Sequence, residues 1–108
     1  MRAHFNLEIK LFLNKINIKE KLDQITEYAK PLTIAELNGQ QLKVNKVIGT
    51  FVWHSHENED EMFLVIKGKL KKEFPDDEVW LEEGELVVVP RGVKHRTVAE
   101  EEVHQFDQ

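Results

Sequence analysis

The chain has 108 residues, 41% hydrophobic and 32% charged, with 20 acidic against 15 basic side chains and a formal charge of −5. That length fits one domain able to bury its own core, and the acidic balance argues against a nucleic-acid footprint or a polybasic membrane anchor. Cysteine is absent, so disulfides, thiolate nucleophiles and cysteine-bound zinc are excluded. The longest apolar runs, Met62–Ile66 and Leu86–Val89, are far too short to cross a bilayer. Glu8 and Lys10 interrupt Phe5–Leu13, which therefore lacks a signal-peptide core. These features lead to the expectation of a cytoplasmic protein.

In chain order, Phe5, Leu7, Ile9, Leu11 and Leu13 alternate with mostly polar neighbours, the pattern of a half-buried strand. Ile18, Leu22, Ile25 and Ala29 then recur at helical spacing, with Asn17 as N-cap and Glu20 three residues on; Pro31 ends the run. Tyr28 falls on this helix. Everything beyond reads as strand and turn. Leu32–Leu37 and Gln40–Ile48 flank Asn38-Gly39, a hairpin signal. Further strands are expected at Thr50–His56, Glu61–Lys67, Lys69–Phe74, Val79–Leu81, Leu86–Val89, His95–Val98 and Val103–Phe106. The reading is an all-β sandwich or barrel with one short N-terminal helix: residues 1–30 pack on a barrel formed by residues 31–108. Met62–Ile66 and Leu86–Val89 are apolar on both faces, so the outer face needs the helix, the N-terminal strand or a second subunit. A homodimer is the expectation.

Five histidines are present. His54 and His56 stand two apart in an extended segment and leave the same face, so both imidazoles can reach one cation. Glu61 opens the next strand and can face the same centre with a carboxylate oxygen. The string Gly84-x5-Pro90-x-Gly92-x2-His95 then uses turn residues to deliver a third histidine. His4 and His104 have no partner spacing and read as surface residues. Glu57, Glu59 and Asp60 read as a solvated acidic loop, and Arg91 and Lys94 as solubilising charge. Phe51, Trp53 and Phe63 read as core or interface. No general acid or base other than the ligand candidates stands out inside the barrel.

Two segments carry a resemblance. Gly49-x4-His54-x-His56-x4-Glu61-x6-Gly68 and Gly84-x5-Pro90-x-Gly92-x2-His95 resemble the two motifs of the cupin superfamily, closest to small single-domain cupins of the mannose-6-phosphate-isomerase-like type. This chain has four residues between Gly49 and His54 where the general pattern has five, Ala99 where the second motif usually carries Asn, and a short stretch after His95. The resemblance implies a jelly-roll β-barrel, a double-stranded β-helix, in which His54, His56, Glu61 and His95 hold one divalent transition metal. Fe, Mn, Zn, Ni, Co and Cu all accept such donors. It implies a small-molecule substrate or ligand and no nucleic-acid or membrane partner. The function expected is a metalloenzyme of dioxygenase or isomerase type acting on a small polar molecule; the alternative is a metal-anchored binding or sensing module without turnover.

Overall fold

A computed structural model of the chain describes residues 14–108. The expected Phe5–Leu13 strand and His4 lie outside the described residues. Helix α1 (Ile18–Asp23) is followed by strands β1 (Leu32–Leu37), β2 (Gln40–Thr50), β3 (Glu61–Lys67), β4 (Leu70–Phe74), β5 (Asp77–Leu81), β6 (Leu86–Val89) and β7 (Arg96–Asp107). All pairings are antiparallel, in the order β1-β2-β7-β3-β6, with β4 joining β7 and β5 joining β4. The all-β expectation holds. Among the described residues no helix is long and apolar enough to cross a membrane.

The helix starts as the capping box requires, with the Asn17 side chain accepting from the Glu20 backbone N–H at 3.0 Å. It ends at Asp23, well short of Ala29. Packing overrides the periodicity here. Ile25 turns inward with Leu22 against Val44, and the Lys46 ammonium holds the freed Ile25 carbonyl at 3.1 Å. Ala29 takes a left-handed φ of 56° and donates its N–H to the Lys46 carbonyl at 2.9 Å. Tyr28 therefore sits in a turn, not on the helix, and its hydroxyl donates to Glu102 at 2.6 Å.

Two expected terminal strands are one. β7 runs for 12 residues, and its two ends serve different neighbours. Arg96–Val98 pair with β4, whereas His104–Asp107 pair with β3, and β2 follows both ends on the other side. This change of partner bends the sheet around an interior. The expected strand Thr50–His56 is instead irregular after Thr50, apart from a bridge between His54 and His95.

Alternation along the strands divides the burial. On one face, Val47, Val65, Leu70, Leu81, Ala99 and Val103 form the barrel core. On the other, Val44, Ile66 and Phe106 lie beneath Leu22 and Ile25. The helix thus covers Val44 of β2 and, of the outer face of β3, Ile66. It does not reach β6, where Leu86 and Val88 remain 56% and 52% exposed.

Two glycines are fixed for different reasons. Asn38 and Gly39 have φ of 54° and 77°, the double left-handed geometry of a type I′ hairpin turn. Gly68 has φ of 96°, and a Cβ there would meet the Glu102 carbonyl oxygen at 2.9 Å and the Val103 side chain at 3.2 Å. Gly39→Ala carries conformational strain alone, about 1–2 kcal/mol. Gly68→Ala adds a clash with strand backbone, so urea unfolding should give it the larger loss, about 3 kcal/mol or more.

Candidate metal centre

The segment after β2 is held against the start of β7 by its own backbone. His54 N–H donates to the His95 carbonyl at 3.0 Å, and His95 N–H returns the bond at 2.9 Å. Such a reciprocal pair sets two residues directly opposite each other. Farther along, Gly92 N–H donates to the His56 carbonyl at 2.7 Å. Gly92, at φ 78°, occupies the third position of the turn Pro90–Val93, which Val93 N–H closes onto the Pro90 carbonyl at 3.2 Å. Asp60 is not merely a solvated loop residue: its carboxylate accepts the Arg91 backbone N–H at 2.9 Å. The expected acidic loop is therefore fastened to the turn that presents His95.

These contacts bring three of the four residues singled out from the motifs, His54, Glu61 and His95, into one group of ligand atoms, while His56 stands beside Glu61 and outside that group. The ring centroids of His54 and His56 are 5.3 Å apart, those of His54 and His95 4.3 Å, and those of His56 and His95 6.5 Å. Glu61 Oε1 lies 2.9 Å from His56 Nε2 and 3.5 Å from His95 Nε2. Donor atoms of His54, Glu61 and His95 all lie within 4.8 Å of one another. Ligands bound ~2.1 Å from a common metal stand roughly 3–4 Å apart, so a modest contraction brings this group to coordination distance.

The tautomers suit that role. His54 Nδ1 faces the Val52 carbonyl at 3.1 Å and His95 Nδ1 faces the Val93 carbonyl at 2.9 Å. A carbonyl only accepts, so the proton resides on Nδ1 and the Nε2 lone pair is free. Burial holds the His95 imidazole below its usual pKa, only partly offset by the Val93 carbonyl, which keeps it neutral at physiological pH. Its ring neighbours Phe63 and Phe74, with centroids 6.1 Å and 6.4 Å away.

Despite this crowding, Glu61 Oε1 and His95 Nε2 are buried and form no aligned hydrogen bond. Leaving such a group unsatisfied costs about 1–3 kcal/mol. Two orphaned donor atoms side by side, with a neutral imidazole and a carboxylate among them, are what a divalent cation would satisfy. The residues fit a metal.

Behind the group lies a cavity of ≈ 140 Å³, lined by Val47, Phe51 and Phe63 together with His54, Glu61, Asn45, Lys72, Thr97 and Gln105. Phe51 and Phe63 are thus core residues and cavity wall at once. Lys72 corrects the expectation that the interior holds no further acid or base. It is 1% exposed, hydrogen-bonds the Thr97 hydroxyl and sits 3.2 Å from the Phe63 ring centroid. Burial lowers its pKa from 10.5 to about 8, against the opposing pull of Glu61 and Asp107. Asp107 is pushed up to about 6, chiefly by burial. Period-two spacing of Leu70, Lys72 and Phe74 would have put Lys72 on the inner face, but the basic run Lys69-x-Lys71-Lys72 suggests solvent.

The remaining candidates stand outside the cavity. His104 is not a free surface residue; its side chain is largely covered and Nε2 lies 2.7 Å from Glu102 Oε2, two positions back on the same strand face. Trp53 lies outside, with the Arg96 guanidinium 4.6 Å and the Lys94 ammonium 5.9 Å from its ring.

The fold and this geometry agree with the comparisons. A family model described as "Cupin domain" matches residues 41–105. The chain belongs to the cupin family. Among solved structures, a cupin-2 domain protein from Shewanella frigidimarina is 36% identical, with a TM-score of 0.84 over 95% of this chain and 98% of that one. Protein NMB1881 from Neisseria meningitidis is 32% identical, with a TM-score of 0.81 over 87% of this cupin and 96% of the other. A curated relative, uncharacterized protein YdbB from Bacillus subtilis (strain 168), is 29% identical over 82 residues, covering 75% of this chain and 73% of the relative. The hydroquinone 1,2-dioxygenase from Sphingomonas sp. TTNP3 shares the fold at 14% identity and a TM-score of 0.74, over 100% of this chain and 79% of its own.

Lys72 makes a stability prediction for this cupin. In the folded protein its ammonium is charged at neutral pH but desolvated, a cost of about 3 kcal/mol. Between pH 8 and 10.5 the unfolded chain binds more protons than the folded one, so that cost fades as pH rises. In metal-free protein, Lys72→Met should therefore unfold at higher urea than the parent at pH 7, by about 1–2 kcal/mol after the lost Thr97 bond. The advantage should shrink as pH approaches 10.5.

Proposed function

We propose that this cupin is a metal-dependent protein acting on a small polar molecule inside its barrel, with one divalent transition metal held by His54, His56, Glu61 and His95. The observation that carries the reading is the orphaned pair Glu61 Oε1 and His95 Nε2, buried within a cluster of three imidazoles. Three nitrogens and one oxygen leave coordination positions open on a six-coordinate ion, which distinguishes a reactive site from a closed structural one. Such a metal supplies Lewis acidity toward a substrate oxygen or, as iron, redox chemistry with dioxygen.

The chain's own residues do the rest. Val52 and Val93 carbonyls fix the His54 and His95 rings. Phe63 and Phe74 flank His95 and exclude water from it. His56 is about half exposed and His95 buried, on either hand of the Glu61 carboxylate they share. The chemistry proposed is of dioxygenase or isomerase type on a small polar molecule. Elemental analysis of protein purified without an affinity tag should find about one transition metal per chain. His95→Ala should lower that occupancy at least tenfold and abolish oxygen uptake with it. Unchanged metal content in the variant would overturn the assignment.

A homodimer also forms part of this proposal. β6 stands at one end of the strand order, and its outer face presents Leu86 and Val88. An apolar edge of this kind is stable in water when another surface covers it. Light scattering should give twice the chain mass, and Val88→Lys should shift it toward the monomer.

A further inference from the structure

The chamber behind the metal group is more polar than filling a barrel requires. Asn45, Lys72, Thr97 and Gln105 are all at least nine-tenths buried and line the same cavity. Asn45 Oδ1 and Gln105 Oε1 have no hydrogen-bond partner. The Gln105 amide is oriented, because its Nε2 donates to Asp107 Oδ2 at 3.4 Å and leaves Oε1 at the other end. Lys72 can donate three hydrogen bonds and uses one, on Thr97. The inner wall thus offers unused N–H donors from an ammonium beside two unused amide oxygens.

An occupant must match that pattern in a small space. A cavity of about 150 Å³ takes a molecule the size of benzene, and this chamber is ≈ 140 Å³. Roughly six heavy atoms fit, and most must be polar to meet four polar side chains. Charge narrows the class further. The ammonium of Lys72 and a divalent ion outweigh the Glu61 and Asp107 carboxylates, so a mono-anion is favoured over a neutral polyol. The amide oxygens accept only, so the occupant must also carry a donor, and a hydroxyl supplies one without cancelling the charge of the anion as an ammonium would.

We propose that the chamber recognises a small aliphatic hydroxycarboxylate: a carboxylate oxygen accepts from Lys72 Nζ, and the hydroxyl donates to Gln105 Oε1. This assignment rests on the metal reading above for the second anchoring point, since His54 and Glu61 line the same cavity as Lys72.

Calorimetric titration of the protein as purified tests it, with glycolate, lactate and glycerate as probes. Propionate lacks the hydroxyl, propane-1,2-diol lacks the carboxylate, and catechol and 4-hydroxybenzoate exceed the volume. The hydroxycarboxylates should bind on the order of tenfold or more tightly than any of these four. Lys72→Met and Gln105→Leu should each weaken that binding by a similar factor while metal content stays at the parent level. Should either variant fail to fold, the ranking of probes on the parent protein still decides. The proposal is overturned if none of the three hydroxycarboxylates binds, if a comparison compound binds as tightly, or if both folded variants bind like the parent. Metal content in the same samples judges the metal reading separately, because a metal-loaded protein that ignores all three probes contradicts only the chamber assignment.

Discussion

Two reciprocal backbone hydrogen bonds between His54 and His95 hold the site together. They continue, past the end of β2 at Thr50, a backbone attachment that Phe51 N–H begins on the Thr97 carbonyl at 2.9 Å and Gly92 N–H completes on the His56 carbonyl at 2.7 Å. With them, a residue on a loop and a residue at the mouth of β7 are placed opposite each other as rigidly as two members of a sheet. The side chains inherit that placement. Each ring is then turned by a carbonyl two residues before it, Val52 for His54 and Val93 for His95. Identical local devices on the two sides of the bridge aim both Nε2 atoms inward. Glu61 arrives from a third direction as the first residue of β3, its position set by pairing with Val89 at the end of β6.

The ligand candidates were legible because their signals are local. Spacing places His54 and His56 on one face, Pro90 and Gly92 announce a turn before His95, and Glu61 begins an unmistakable strand. The hairpin at Asn38-Gly39 was legible for the same reason. What escaped depends on contacts distant in sequence. The helix stops at Asp23, where Gln24 and Ile25 N–H groups tighten onto the Lys21 and Leu22 carbonyls, and the spacing of Ile18, Leu22, Ile25 and Ala29 does not record that end. The two C-terminal strands are one because β2 pairs with both of them, its register shifting between Val47 and Gly49 to pass the bulge at Glu100–Glu102. His104 found its partner in Glu102, two residues away, a spacing that joins side chains only once the segment is known to be a strand.

The polar chamber was the least legible feature, and its physical setting explains how the fold tolerates it. Apolar burial is divided between two clusters on opposite faces of the sheet, one inside the barrel and one beneath α1. Because the outer cluster adds to the stability of so small a domain, the inner face can give up several positions to Asn45, Lys72, Thr97 and Gln105. An ammonium at 1% exposure is expensive. The Thr97 hydroxyl and the Phe63 ring offset part of that cost, and the carboxylates of Glu61 and Asp107 offset more.

Keeping Lys72 inside is also a problem of register. β4 reads Leu70-Lys71-Lys72-Glu73-Phe74, and a slip of one residue against β7 would exchange Lys72 for Lys71 or Glu73 on the inner face. Cost alone does not prevent this, because both faces of the strand carry charge. The outer face supplies the discrimination. Glu73 accepts from Arg96 Nε at 2.7 Å, directly across the β4–β7 ladder. Lys71 lies 3.1 Å from Glu73 and 3.5 Å from Glu78 on β5, and 5.4 Å from the Trp80 ring. The Arg96 guanidinium in turn lies over Trp53, beside His54. Ion pairs of this kind contribute little to stability when exposed, yet a one-residue slip against β7 turns Glu73 inward and breaks its bond to Arg96, the one of these contacts that crosses that ladder. The clasp on the outside of the barrel is therefore what specifies which lysine stands on the inside, and the same Arg96 that closes it is the residue immediately after His95.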